Sequence, residues 1–162
     1  MDTSEIELVG KIHDNFRRNG LRLSIAESCT GGLIGHLLTM LPGASDFFDS
    51  SVVCYSTESK IKLLGVSGSV IRKYGAVSEE AARSMAMAVR KKRRTDFSLS
   101  TTGNLGPKPM EDKRVGLVFM AVDWERETIS KGMLFEGERE EIKREAAIAA
   151  LQFLNEVVEV WK

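Results

Sequence analysis

Apolar residues recur at three- and four-residue steps at Ile6, Val9, Ile12 and Phe16, and with Glu5 and Glu7 near the start they predict an amphipathic helix. Asn19-Gly20 ends it. Residues 21–26 alternate apolar and polar side chains, the pattern of a half-buried strand. Leu33-Ile-Gly-His-Leu-Leu38 predicts a short apolar helix that Pro42-Gly43 stops, and residues 50–55 predict a second strand. A short helix then carries Glu58, Lys60, Ile61, Leu63 and Leu64, with Gly65 as its cap. Ser78 with Glu79 and Glu80 opens a strong helix, because an N-cap hydroxyl and early carboxylates suit a helix N-terminus. It closes on Arg90-Lys-Lys-Arg-Arg94, where cations suit the opposite pole.

Residues 97–102 predict a third strand, followed by an irregular segment over 103–114 that holds two of the three prolines. Residues 115–122 and 128–135 predict two more strands, most simply an antiparallel hairpin around the polar turn at 123–127. A closing helix spans 138–161, with Ile142, Ala146, Ala149, Leu151, Phe153 and Leu154 on its apolar face. Strands alternating with helices predict an α/β fold. We expect a three-layer α/β/α sandwich with a mixed β-sheet, in a single domain over residues 1–162.

Composition narrows the class. A chain of 162 residues buries roughly two-thirds of its unfolded surface, and 43% hydrophobic with 28% charged residues excludes disorder. No apolar run approaches the roughly 20 residues of a membrane span. The acidic, amphipathic start argues against a signal peptide, and two cysteines cannot build a disulfide framework, so a cytoplasmic location is expected. Lys and Arg (23) balance Asp and Glu (23), which argues against generic nucleic-acid binding.

The most informative segment runs strand, Ala26-Glu-Ser-Cys-Thr-Gly-Gly32, helix. Backbone N–H groups at such a helix start can hold an oxyanion or a phosphate, and glycine lets a substrate approach. Ser28 would stand at the carboxyl edge of the sheet, with Cys29 as a rival nucleophile. A simpler reading makes Ser28 and Thr30 helix caps. His13 and His36 have no evident carboxylate partner, so a Ser-His-Asp triad is left open without support. Lys60, five residues after Tyr55, is the other candidate base, provided burial or a nearby cation lowers its pKa toward neutrality. There is no metal-ligand cluster, P-loop or dinucleotide fingerprint.

Taken in order, Ala26-Glu-Ser-Cys-Thr-Gly-Gly32, Pro42-Gly-Ala-Ser45, Val53-Cys-Tyr-Ser56 with Glu58 and Lys60, Leu63-Leu-Gly-Val66, Gly75-Ala-Val-Ser-Glu79, Thr102-Gly103 with Gly106-Pro107, and residues 135–139 form a pattern. It resembles the C-terminal domain of CinA, the nicotinamide-nucleotide amidase (nicotinamide mononucleotide deamidase) family, over roughly residues 5–160, in its stand-alone form. The resemblance implies hydrolysis of nicotinamide mononucleotide to nicotinic acid mononucleotide and ammonia, without metal or cofactor. It implies Ser28 as nucleophile, Lys60 as base and Tyr55 as its assistant. It further implies Thr30, Gly31 and Gly32 as oxyanion donors, Thr102 and Gly103 beside the substrate, and Arg139 toward a phosphate or the pocket. With the apolar terminal helices it implies a homo-oligomer acting on a small nucleotide.

The sequence departs from the family pattern at the substrate loop. Lys108-Pro109-Met110 follows Gly106-Pro107 where a glycine run is usual, Asn104-Leu105 replaces a small apolar pair, and Lys143 replaces a second arginine. The amidase therefore has a runner-up, a non-catalytic nucleotide-binding or oligomeric scaffold; a third reading, a nucleic-acid binder using Arg90 to Arg94, is disfavoured because that run fits better as a solvated helix end. The first two part at Lys60, which catalysis needs buried near Ser28.

Overall fold

The computed structural model describes residues 1–161. Asp2 starts the first helix, α1 (Thr3–Arg18), by accepting the Glu5 N–H at 2.9 Å while the Glu5 carboxylate accepts the Asp2 N–H. Two N–H groups that lack a helical partner are thus satisfied together. Val9, Ile12 and Phe16 are fully buried, but Ile6 is 45% exposed, so the buried stripe takes in Glu5 and His13 instead.

Strand β1 (Leu23–Glu27) lies between β2 (Phe48–Val53) and β3 (Phe97–Gly103), parallel to both. β4 (Leu117–Trp124) and β5 (Glu127–Leu134) extend the sheet as an antiparallel hairpin, giving the order β2-β1-β3-β4-β5. The sheet is mixed, as the pattern predicted. The half-buried reading of β1 is corrected: every one of its residues is buried, because helices cover both faces of this central strand.

On one face pack α1, α2 (Leu33–Thr39) and α6 (Arg139–Val160), against Leu23, Ile25, Phe97, Leu99, Val118, Met120 and Val122. On the other lies α5 (Glu79–Arg93), capped by the Ser78 hydroxyl at 3.1 Å from the Ala81 N–H. Small residues bring α5 close to the sheet. The hydroxyls of Ser98, Ser100 and Thr102 donate to the carbonyls of Ala86, Ala82 and Ala76 at 2.5 to 2.6 Å, so these buried polar groups are all paired. The basic run at the end of α5 is tied to the fold: Arg90 pairs with Asp123, Arg93 with Asp49, and Lys92 donates to the Leu63 carbonyl.

Between β2 and α5 the predicted short helix proves to be one α turn, α3 (Thr57–Ser59), continued by a wider π turn over Lys60–Leu64. A helix the pattern did not predict, α4 (Gly68–Tyr74), follows. No helix among the described residues is long and apolar enough to cross a membrane. The chain leaves β1 toward β2 and leaves β3 toward β4, so a crevice opens between the carboxyl ends of β1 and β3. Open α/β sheets bind ligands at this switch in strand order.

Candidate active site

Beyond Glu27 the chain turns through Ser28, Cys29 and Thr30 to Gly31 and Gly32, whose φ angles of 57° and 97° suit glycine, and then enters α2. Ser28 is buried, and its N–H donates to the Thr101 carbonyl on β3 at 3.0 Å, which fixes it at the crevice. Facing it is Lys60, the first residue of the π turn and only 2% exposed. Its Nζ lies 2.9 Å from Ser28 Oγ and 3.1 Å from each of the Cys54 and Tyr55 carbonyl oxygens.

A lysine amine has three directions to fill. Carbonyl oxygens only accept, so two N–H bonds go to Cys54 and Tyr55, and the third direction points at Ser28. In the ammonium form that direction is an N–H; in the neutral form it is a lone pair aimed at the serine hydroxyl. Burial lowers the Lys60 pKa from its ordinary 10.5, because the charged form loses its water. Geometry and desolvation therefore act together on one proton.

The other candidates are less suited to this chemistry. Burial pushes the Cys29 thiol up to about 12 and the Cys54 thiol up to about 11, so neither supplies a thiolate near neutrality. The His13 Nε2–H donates to the Leu38 carbonyl at 2.9 Å within the core, and His36 is exposed on α2. Neither histidine bonds to Ser28 among the described residues. Ser28 does not cap α2 either: its N-cap is Gly32, without a side-chain bond.

The expected oxyanion donors need correction. The Gly31 N–H donates to the Ser28 carbonyl at 3.0 Å, and the Gly32 N–H to Glu27 Oε2 at 3.0 Å. The N–H groups of Cys29 and Thr30 make no bond among the described residues, and these are the ones adjoining Ser28. The Thr30 hydroxyl donates to Glu27 Oε2 at 2.6 Å and lies 2.8 Å from that of Thr101.

Tyr55 reaches Lys60 through its carbonyl, not its ring. Its phenol, on a residue 59% exposed, accepts from Arg139 Nη2 at 2.7 Å, while Arg139 Nη1 donates to the Gly106 carbonyl at 2.6 Å. The Tyr55 phenol therefore joins a bridge through Arg139 that ties α6 to the loop at Gly106, and only the Tyr55 carbonyl meets Lys60. Thr102 lines the crevice with its hydroxyl held by Ala76, and Gly103 admits β4, since a Cβ there would sit 2.7 Å from Val118 Cγ2. Together these residues enclose a cleft of about 370 Å³. Lys143 Nζ lies 3.3 Å from where a side chain at Gly31 would begin, and Lys143 lines a neighbouring hollow that shares Arg139 with the cleft.

Three residues without an assigned role in the sequence reading shape the site. Asn104 is buried and organises the altered loop: its Oδ1 accepts the Gly106 N–H, and its Nδ2 donates to the carbonyls of Lys108 and Lys113. Glu111 pins the loop to the cleft wall by accepting the N–H groups of Ala76 (2.8 Å) and Val77 (3.0 Å). Glu27 sits under the turn that carries Ser28. Only Glu27 carried a readable signal, a carboxylate just before a glycine-led helix start.

The model of the CinA C-terminal domain family matches residues 5–158. The chain belongs to the CinA family. It is 42% identical over 152 residues to a CinA-like protein of Dictyoglomus thermophilum, covering 93% of this chain and 37% of that one. A CinA-like protein of Geobacter metallireducens is 41% identical over 141 residues, 86% of this chain and 34% of the other. The chain thus spans about a third of the length of the curated CinA relatives it matches. Among solved structures, the competence damage-inducible protein A of Klebsiella pneumoniae superposes with a TM-score of 0.94 at 30% identity, over 98% of this chain and 99% of that one. The competence/damage inducible protein CihA of Agrobacterium tumefaciens gives 0.92 at 33% identity, over 98% of both chains. Both are CinA-like folds across nearly the whole chain.

Proposed function

We propose that this CinA-family chain is a nicotinamide-nucleotide amidase, which hydrolyses nicotinamide mononucleotide to nicotinic acid mononucleotide and ammonia. The observation that carries the reading is Lys60: a buried amine, held by two carbonyls, with its third direction on Ser28 Oγ at 2.9 Å. A surface lysine on a scaffold has no need of that arrangement. Neutral Lys60 takes the hydroxyl proton as Ser28 Oγ attacks the carboxamide carbon. The oxyanion that forms is met by the N–H groups of Cys29 and Thr30, a type of contact whose single loss costs roughly 3 to 4 kcal/mol. Protonated Lys60 gives its proton to the departing ammonia. Water, deprotonated by Lys60, then cleaves the nicotinoyl ester and frees Ser28.

Arg139 and Lys143 supply the charge for the nucleotide phosphate; Arg139 lines the cleft, Lys143 stands beside Gly31, and neither has a carboxylate partner among the described residues. Tyr55, bonded to Arg139, holds that arginine at the cleft. The loop that departs from the family pattern is braced by Asn104 and Glu111, which leaves the cleft open. The test is ammonia release from nicotinamide mononucleotide by purified protein in EDTA, with Ser28→Ala alongside. Release by the unchanged chain alone supports the amidase. No release from folded protein would favour the scaffold reading, with Lys108-Pro109-Met110 as the first suspects.

A further inference from the structure

We propose that Glu27 is the positioning residue of the nucleophile turn, an inference that rests on Ser28 being the nucleophile. Glu27 is fully buried, yet it is paired with no lysine or arginine among the described residues. Its Oε2 accepts the Thr30 hydroxyl (2.6 Å) and the N–H groups of Gly32 (3.0 Å) and Ile34 (3.1 Å). Its Oε1 accepts the Gly35 N–H (2.9 Å) and the Ser51 hydroxyl on β2 (2.7 Å). Five donors meet this one side chain, so both of its oxygens are filled without a cation.

The placement explains the purpose. The Glu27 backbone is locked in the central strand, in register with Val53 on β2 and Thr101 on β3. Four residues on, the chain runs through two successive left-handed glycines, the least restricted backbone available. The carboxylate spans the two, anchoring a flexible turn to a rigid strand. Ser28 and the N–H groups of Cys29 and Thr30 lie inside the segment so held. Glu27 touches neither Ser28 Oγ nor Lys60 among the described residues and acts through the backbone alone.

The experiment uses a fluorophosphonate, which reads the turn without the natural substrate: Ser28 Oγ bonds to phosphorus, fluoride leaves, and the hydroxyl proton goes to Lys60. The rate constant and the labelled fraction of folded chain are measured for the unchanged protein and Glu27→Gln, which keeps the size but turns an N–H toward donors. The expected result is full labelling of folded Glu27→Gln at a rate at least about tenfold lower. Labelling at the original rate, with or without a smaller competent fraction, would make Glu27 merely structural and overturn the proposal. Should Glu27→Gln not fold, Thr30→Val decides by the same two readings, since of the five bonds it removes the shortest alone, together with the contact to the Thr101 hydroxyl. An unchanged chain that labels on Ser28 but releases no ammonia from nicotinamide mononucleotide overturns the amidase reading and leaves the Glu27 comparison to stand or fall by itself. No labelling of Ser28 at all overturns both.

Discussion

Replacing Lys60 by methionine removes the amine while keeping a long unbranched side chain in the same buried space. The variant deletes the bond to Ser28 and both carbonyl bonds. Loss of a general base lowers kcat roughly 10²- to 10⁴-fold, which is about 3 to 5 kcal/mol of barrier. The stability change is smaller and has two opposing parts. Leaving the buried Cys54 carbonyl unpaired costs about 1 to 3 kcal/mol, whereas water can replace the bond at exposed Tyr55. Against this, methionine carries no charge to desolvate. The lowered Lys60 pKa means that, between that value and 10.5, the unfolded chain holds a proton the folded chain lacks. Stability of the unchanged protein therefore rises with pH across that window, and below it the full penalty of burying the ammonium persists. Lys60→Met should thus compare best with the unchanged protein at the acid end and worst at the alkaline end. The assays are ammonia release and thermal melts across pH. The unchanged enzyme should gain activity as pH rises through the Lys60 pKa, and Lys60→Met should show no such limb. A variant keeping more than about a tenth of kcat, or a melting difference flat with pH, would refute the reasoning.

Further outcomes follow from other contacts. Arg139→Ala should raise KM for the mononucleotide roughly tenfold to a hundredfold while changing kcat less, since a charged hydrogen bond is worth about 1.5 to 3 kcal/mol; the unphosphorylated riboside should show no such change. Asn104→Ala removes three bonds that shape the loop over 104–113 and should raise KM and lower stability by about 1 to 3 kcal/mol, measured by urea unfolding. Gly116→Ala places a Cβ 1.9 Å from the Phe135 carbonyl oxygen at a φ of 91°, and should destabilise by about 2 to 5 kcal/mol in the same measurement.

The fold was legible where hydrophobic periodicity carries it, and less so where small polar residues are buried. Ser24 alternates with Leu23 and Ile25 and so predicts an exposed face, but its hydroxyl is buried 2.7 Å from that of Thr95. Ser98 and Ser100 do the same beneath α5, paired with helix carbonyls, and Thr102 pairs with the Ala76 carbonyl ahead of that helix; no local pattern reveals these partners. The π turn escaped for a related reason: a one-residue widening leaves the apolar spacing of Ile61 and Leu64 intact while it sets Lys60 on Ser28. Ser28 and Lys60 were nameable as candidates; their meeting depends on β1 and β2 being neighbours. Tyr55 illustrates the limit, since only the packing of α6 against the loop turns its phenol to Arg139.

The central claim is that Ser28 is acylated during turnover. Mixing the protein with nicotinamide mononucleotide, quenching in acid and weighing the peptide that carries Ser28 and Cys29 tests it directly. The account predicts a nicotinoyl-nucleotide ester on Ser28 that is missing from Ser28→Ala. Ammonia release with the adduct on Cys29, or continued release from Ser28→Ala, would contradict it.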